Sequence, residues 1–259
     1  MATYSSYKKI VNEQVIDGTV TEAKLGTETR HRLCTKWLIG DADRCSSGCC
    51  CLWTVPGCTR KVFFEIWGAG GNGSGACSCN RCHHVQGTGG GYYNSKMVTT
   101  NPGCQYTMCA AGVYRCLSRE CTACNGCTSY INGFGLSDFC AIGGLQGRAN
   151  TNWTEHCFSC WSCCLGPNDN DGDFSLGSHV GNWAGIFNCH CHMQYVKPSG
   201  APMLGGNLAQ AISVCWIRCG CWIAPPGHGG QNAMSTYCGS SCCGQGGTGG
   251  PGVVKVTFT

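Results

Sequence analysis

The chain has 259 residues, of which 28 are cysteine, 41 glycine and only 12% charged, with a formal net charge of +4. That length allows one large domain or two small ones around a real core, while the small, scattered charge forms no stripe able to neutralise several phosphates and argues against nucleic acid as a partner. No apolar run approaches the roughly 18 residues of a membrane span, and the cysteine content points to a cross-linked or metal-bound scaffold, not an ordinary cytosolic enzyme.

Residues 1–33 differ in kind from the rest. They contain no cysteine and only two glycines, Gly18 and Gly26. Apolar Ile10, Val15, Ile16, Val20 and Leu25 sit among Glu13, Asp17, Glu22 and Lys24. Asp17-Gly18 reads as a turn, and 21–26 as a short helical turn closed by Gly26. With too little apolar surface to offset its own ordering entropy, the segment is expected to dock on identical chains or a larger assembly. The start lacks the apolar stretch of a secretory signal after Lys8 and Lys9, yet the cysteines ask for an oxidising environment or metal. A virion protein reconciles the two: made in the host cytoplasm, released by lysis, and working outside cells.

A cysteine-rich connector is expected over 34–60, holding Cys45, Cys49, Cys50, Cys51 and Cys58. A β pattern begins at Lys61 and runs through Val62-Phe-Phe-Glu-Ile-Trp, stopping at Gly68-Ala-Gly-Gly-Asn-Gly. The glycines imply turns, φ > 0 positions or close backbone contacts. A second strand is expected over 92–100, ended by the turn Asn101-Pro102-Gly103, with 105–110 as its partner. The last strand, 253–259, alternates around Lys255. Only 207–216 shows helical periodicity. The prediction is an all-β, sandwich-like domain over 61–259 with long cysteine-cross-linked loops.

The order of these pieces resembles the glycine-rich domain of many bacteriophage tail-fibre and tail-tip proteins. The residues that carry the likeness are Val62-Phe-Phe-Glu-Ile-Trp-Gly-Ala-Gly-Gly, Gly87-Thr-Gly-Gly-Gly-Tyr-Tyr, the hairpin from Met97 to Val113, Thr128-Ser-Tyr-Ile-Asn-Gly-Phe-Gly, Cys140-Ala-Ile-Gly-Gly and the closing Gly-Pro-Gly-Val253-Val-Lys-Val-Thr-Phe. Together they span roughly 62–147 and 244–259. The N-terminal Glu13-Gln-Val-Ile-Asp-Gly-Thr-Val-Thr-Glu-Ala-Lys-Leu25 is similar to a phrase of cyanobacterial phage tail fibres, where it belongs to the attachment or trimeric shaft portion. The resemblance implies a homotrimeric virion protein that joins other tail or baseplate proteins through 1–33 and touches the host surface with its distal domain. Family members are commonly poor in cysteine, and here this chain departs from them.

Two chemistries compete for the cysteines. Disulfides suit glycine-rich loops that bury little apolar area, and Cys45, Cys49, Cys50, Cys51, Cys58, Cys104, Cys109, Cys163, Cys164, Cys242 and Cys243 are the candidates. Neighbouring residues on an extended chain point apart, so the runs Cys49–Cys51, Cys163-Cys164 and Cys242-Cys243 should each serve separate partners. The rival is metal: Cys77, Cys79, Cys82 and His83 could hold zinc, as could Cys121, Cys124 and Cys127, and closely spaced thiolates also hold iron–sulfur clusters. Asp169, Asp171 and Asp173 offer oxygen ligands to calcium, though the glycine comes too early for an EF-hand and no closing glutamate follows.

Catalysis finds little support, since the 13 carboxylates form no convincing acid/base pair outside that loop. Trp153, Trp161 and Trp183 lie in loops and could present flat surfaces to a host glycan or protein. The expected function is therefore adhesion of a phage particle to its host. A capsid decoration or neck protein, and a surface-polysaccharide-degrading enzyme, stand as the alternatives.

Overall fold

The structure is a computed structural model that describes residues 33–41, 48–73, 76–78, 84–86, 88–113, 124–150, 172–177, 194–196, 224–230, 232–234, 242–244 and 247–259. Its strands are β1 Cys34–Ile39, β2 Cys49–Thr54, β3 Lys61–Trp67, β4 Ala76–Ser78, β5 His84–Gln86, β6 Tyr93–Thr99, β7 Gln105–Ala110, β8 Ser129–Gly133, β9 Leu136–Ala141, β10 Arg148–Asn150, β11 Phe174–Leu176, β12 Gln194–Val196, β13 Asn232–Met234, β14 Cys242–Gly244 and β15 Val253–Phe258. One antiparallel sheet runs β1-β15-β3-β6-β11 and a second β2-β7-β8-β9; three short pairs, β4–β14, β5–β10 and β12–β13, complete the set. The fold is all-β and sandwich-like, as the sequence pattern predicts.

Alternation sets the core. In β3, Val62, Phe64 and Ile66 are fully buried between the sheets, and the antiparallel register places Val254 opposite Ile66 and Val256 opposite Phe64 in the same layer. Trp53, Tyr106, Met108, Ile131 and Phe139 supply the facing layer. Their rings pack edge to face and tilted, with Phe64 and Tyr106 centroids 4.9 Å apart and Trp53 and Phe258 5.3 Å apart. The buried Tyr106 hydroxyl donates to the Phe134 carbonyl at 2.9 Å. The stretch 34–60, expected as a connector, instead gives β1 to one sheet and β2 to the other, because Trp53 and Leu38 have apolar faces to bury.

The outer face of the five-stranded sheet carries its own cluster. Glu65 is buried and stands opposite Lys255, with which it forms an ion pair, and the Tyr93 hydroxyl donates to Glu65 Oε1 at 3.1 Å. A buried charge is costly unless paired and hydrogen-bonded, and this one is both. Lys255 Nζ lies 5.3 Å from the Trp37 ring centroid, and Trp37 stacks on Trp67 at 6.3 Å. Side chains from β1, β15, β3 and β6 are thereby tied together.

Beyond the sandwich, the glycine runs form a second body. Six segments lie side by side: 68–73, 88–92, 124–128, 142–147, 224–230 and 247–252. The first is central. Its N–H groups donate in rotation to three neighbours: Gly68 to Tyr92 (3.0 Å), Ala69 to Cys127 (3.0 Å), Gly70 to Gly250 (2.8 Å), Gly71 to Gly89 (3.0 Å), Asn72 to Cys124 (3.0 Å) and Gly73 to Gly247 (2.8 Å). A direction that repeats every three residues is the signature of a polyproline II-type helix, which has three residues per turn and no internal hydrogen bonds. Carbonyls of the same segment accept from the remaining two neighbours, Ala69 from Gly144 (2.7 Å) and Gly71 from Gly230 (2.7 Å). Apart from the turn within 224–230, the glycine runs that read as turns are in this body extended segments bonded to one another. A Cβ on Gly70 would lie 1.8 Å from the His228 carbonyl oxygen, so only glycine permits this spacing.

The attachment segment 1–32, with Ile10, Val15, Ile16, Val20 and Leu25, and the helical periodicity at 207–216 lie outside the described residues.

Gly70→Ala is expected to cost at least about 3 kcal/mol, because the obstacle is backbone and cannot move aside. At roughly 2–4 °C per kcal/mol for a domain of this size, thermal melting should fall by about 10 °C. Gly57→Ala, where an added Cβ meets nothing within 4 Å, should leave the melting temperature unchanged. Alkaline titration provides a second check. Burial, aided by the Glu65 charge, pushes the Tyr93 hydroxyl up to about 12, and burial also raises Tyr92 and Tyr106. The folded chain holds these protons where the unfolded chain releases them, so stability present below pH 10 is lost between pH 10 and 12. Tyr93→Phe should cost about 1.5–3 kcal/mol at pH 8, through the lost bond to the Glu65 carboxylate, yet flatten that alkaline decline in melting temperature.

Candidate functional site

The bundle has two unlike ends. At the near end its segments run directly into or out of β3, β6, β8, β9 and β15. Buried Ser129 seals this junction: its hydroxyl donates to the Trp67 carbonyl at 2.7 Å and accepts from the Ala111 N–H at 3.0 Å. At the far end the bonds Gly73 to Gly247, Asn72 to Cys124 and Gly147 to Asn72 gather the tips of four segments, and the bonds of Gly71 to Gly89 and Gly230 bring in the other two. Five stretches of chain begin or end there: 74–87, 114–123, 148–171, 178–223 and 231–246. They contain most of the cysteines and histidines and all three candidate tryptophans, Trp153, Trp161 and Trp183.

Polar side chains stiffen the bundle from within. Asn72 Oδ1 accepts from the Gly249 N–H at 2.8 Å, and the Thr88 hydroxyl donates to the Gly230 carbonyl. Pro225-Pro226-Gly227-His228 makes a turn closed by the His228 N–H to the Pro225 carbonyl at 3.0 Å, with Gly227 at φ 73°. The buried His228 ring donates from Nδ1 to the Pro226 carbonyl at 2.9 Å, and Nε2 is buried with no partner among the described residues. No sequence motif marks Asn72, Thr88, Ser129 or His228. Their signal is position alone, as polar residues within or beside glycine runs.

The structure places the predicted site residues as follows. Cys50 and Cys109, directly opposite in β2 and β7, form a disulfide. Cys49, Cys51, Cys58 and Cys104, expected in bridges, form none among the described residues. On β2 neighbouring side chains alternate faces, and Cys51 and Cys104 pack against the core. Cys77 lies in β4, and Cys242 and Cys243 lie in β14, with Cys77 opposite Cys243 and Ser78 opposite Cys242. Cys124 and Cys127 sit in the third segment, whose carbonyls at these two positions accept from Asn72 and Ala69. Their spacing is one turn of an extended helix, about 9 Å, and not the tight turn that a zinc knuckle uses. Asp173 Oδ2 accepts from the Met97 N–H at 2.8 Å and so fastens β11 to the sheet edge. Cys45, Cys79, Cys82, His83, Cys121, Cys163, Cys164, Asp169, Asp171 and the three tryptophans lie outside the described residues. Among the described residues no three of His, Cys, Asp and Glu converge to hold a metal.

What the arrangement fixes is where these stretches join the bundle: their flanking residues are held by short, mutually bonded segments. No family model matches the chain, and no curated protein matches it.

The bridge between Cys50 and Cys109 closes a sequence separation of 59 residues. Loop-closure entropy for that length gives about 4 kcal/mol. The double variant Cys50→Ser, Cys109→Ser should lose stability of that order in denaturant unfolding, with the β-rich circular dichroism of the native protein retained.

Proposed function

We propose that the chain is a phage virion structural protein, a tail-fibre or tail-tip adhesin that attaches the particle to its host. The observation that supports this most directly is the asymmetry of the glycine bundle. One end is sealed into a sandwich, and the other gathers five long stretches carrying Trp153, Trp161 and Trp183. Rigid, flat aromatic side chains held on such stretches suit a surface glycan or protein. Ile10, Val15, Ile16, Val20 and Leu25 supply the apolar side by which 1–33 joins tail or baseplate proteins and gathers three copies. Three weak sites on one axis then gain effective concentration without any new contact. The cysteines stiffen the displayed stretches once the particle has left the reducing cytoplasm.

The full-length chain should bind cyanobacterial envelope fractions saturably. The triple variant Trp153→Ala, Trp161→Ala, Trp183→Ala should weaken that binding at least tenfold with an unchanged melting temperature. Binding confined to particles lacking the chain would identify a decoration or neck protein instead. Release of soluble oligosaccharide, abolished by Asp169→Asn or Asp171→Asn, would identify a polysaccharide-degrading enzyme.

A further inference from the structure

A single antiparallel register runs the length of the molecule. In β3–β15, Val62 stands opposite Phe258 and Trp67 opposite Val253. In the bundle, the Gly70 N–H bonds the Gly250 carbonyl and the Gly73 N–H bonds the Gly247 carbonyl. In β4–β14, Ala76 stands opposite Gly244 and Cys77 opposite Cys243. Every one of these pairs adds to the same residue-number total, because the links 74–75 and 245–246 are equal in length. The placement of Cys77 against Cys243 is thus imposed by the sandwich and bundle as well as by its own short ladder.

Directly opposite residues of an antiparallel pair have Cα atoms about 4.5–5.5 Å apart, inside the roughly 4.4–6.8 Å that a disulfide spans. The chain already bridges one such position, since Cys50 and Cys109 are directly opposite in β2–β7. The register also discriminates between neighbours: in this ladder Cys242 is paired with Ser78 and Cys243 with Cys77.

We propose that Cys77 and Cys243 form a disulfide that staples the far end of the bundle at the base of the stretches 74–87 and 231–246. The bridge removes two electrons and two protons from the two thiols, and a small disulfide of the glutathione type takes them up. One protein thiolate attacks that disulfide, releasing a small thiol and leaving a mixed disulfide. The other thiolate attacks the protein sulfur of the mixed disulfide and releases the second small thiol. The staple withdraws Cys77 from the set Cys77, Cys79, Cys82 and His83, leaving that set one thiolate short of a four-ligand zinc site. This assignment rests on register and stands whether or not the chain is an adhesin.

The test is peptide mapping of the full-length chain, oxidised with glutathione disulfide, alkylated, digested without reduction and sequenced by tandem mass spectrometry. A fragment joining Cys77 to Cys243 is expected in the unsubstituted protein. In Cys243→Ser the Cys77 thiol should become alkylated, in Cys77→Ser the Cys243 thiol should, and Cys242→Ser should keep the link. Alkylation of both thiols in the unsubstituted chain, a link from either to another cysteine, or a Cys77 freed only by a zinc chelator would each overturn the assignment. The linked fragment is read on the unsubstituted protein, so the result does not depend on the variants folding.

Discussion

Six consecutive N–H groups, Gly68 to Gly73, each donate to a carbonyl on another segment, rotating through three neighbours and back again. Backbone can approach backbone this closely only where side chains are missing from the contact. That requirement accounts for the glycines of these segments. Buried amides must find partners, and here they find them between chain segments, without either helix or sheet. Hydrogen bonds and close packing hold this body together, while the two hydrophobic clusters among the described residues lie in the sandwich strands.

The two bodies depend on each other. The sandwich fixes register: Trp67 stands opposite Tyr93 in β3–β6, and the next bonds outward, Gly68 to Tyr92 and Gly71 to Gly89, continue the same count. Ser129 and the Glu65–Lys255–Tyr93 cluster lock the strands that feed the bundle. The bundle in turn carries that register out to its far end, where short ladders such as β4–β14 inherit it. The residues that flank the long cysteine-rich stretches are therefore held at fixed points.

Much of the sandwich was legible in the sequence. The alternation of Val62, Phe64 and Ile66 and the pattern around Lys255 mark strands that form as expected; 105–110 is also a strand, but beyond the Pro-Gly corner it crosses to the second sheet and pairs with β2 and β8, not with 92–100 as expected. The stretch 34–60 reads as a connector because its cysteine clusters mask the apolar faces of Leu38 and Trp53, which put β1 and β2 into the two sheets. The glycine rods were legible only as close backbone contacts among several options. A rod with a three-residue period has no side-chain pattern of its own, and its partners lie far apart in sequence, so neither period 2 nor period 3.6 reveals it. The disulfide at Cys50 and Cys109 was foreseen as two candidates but not as a pair, since connectivity follows from register and register from the folded sheet.

The central rod also has a history. Its partners include 247–252, so the Gly70 and Gly73 amides cannot meet their carbonyls until nearly the whole chain has left the ribosome. At about 5–20 residues per second, the wait between residues 73 and 247 is roughly 10–35 s. Contacts this distant in sequence make for slow closure. Through that interval the thiols are close neighbours with no scaffold to choose among them. Closure first and oxidation second yields the pairings that register selects; the reverse order locks in pairings it never would. For the register to choose the bridges, closure has to come before oxidation.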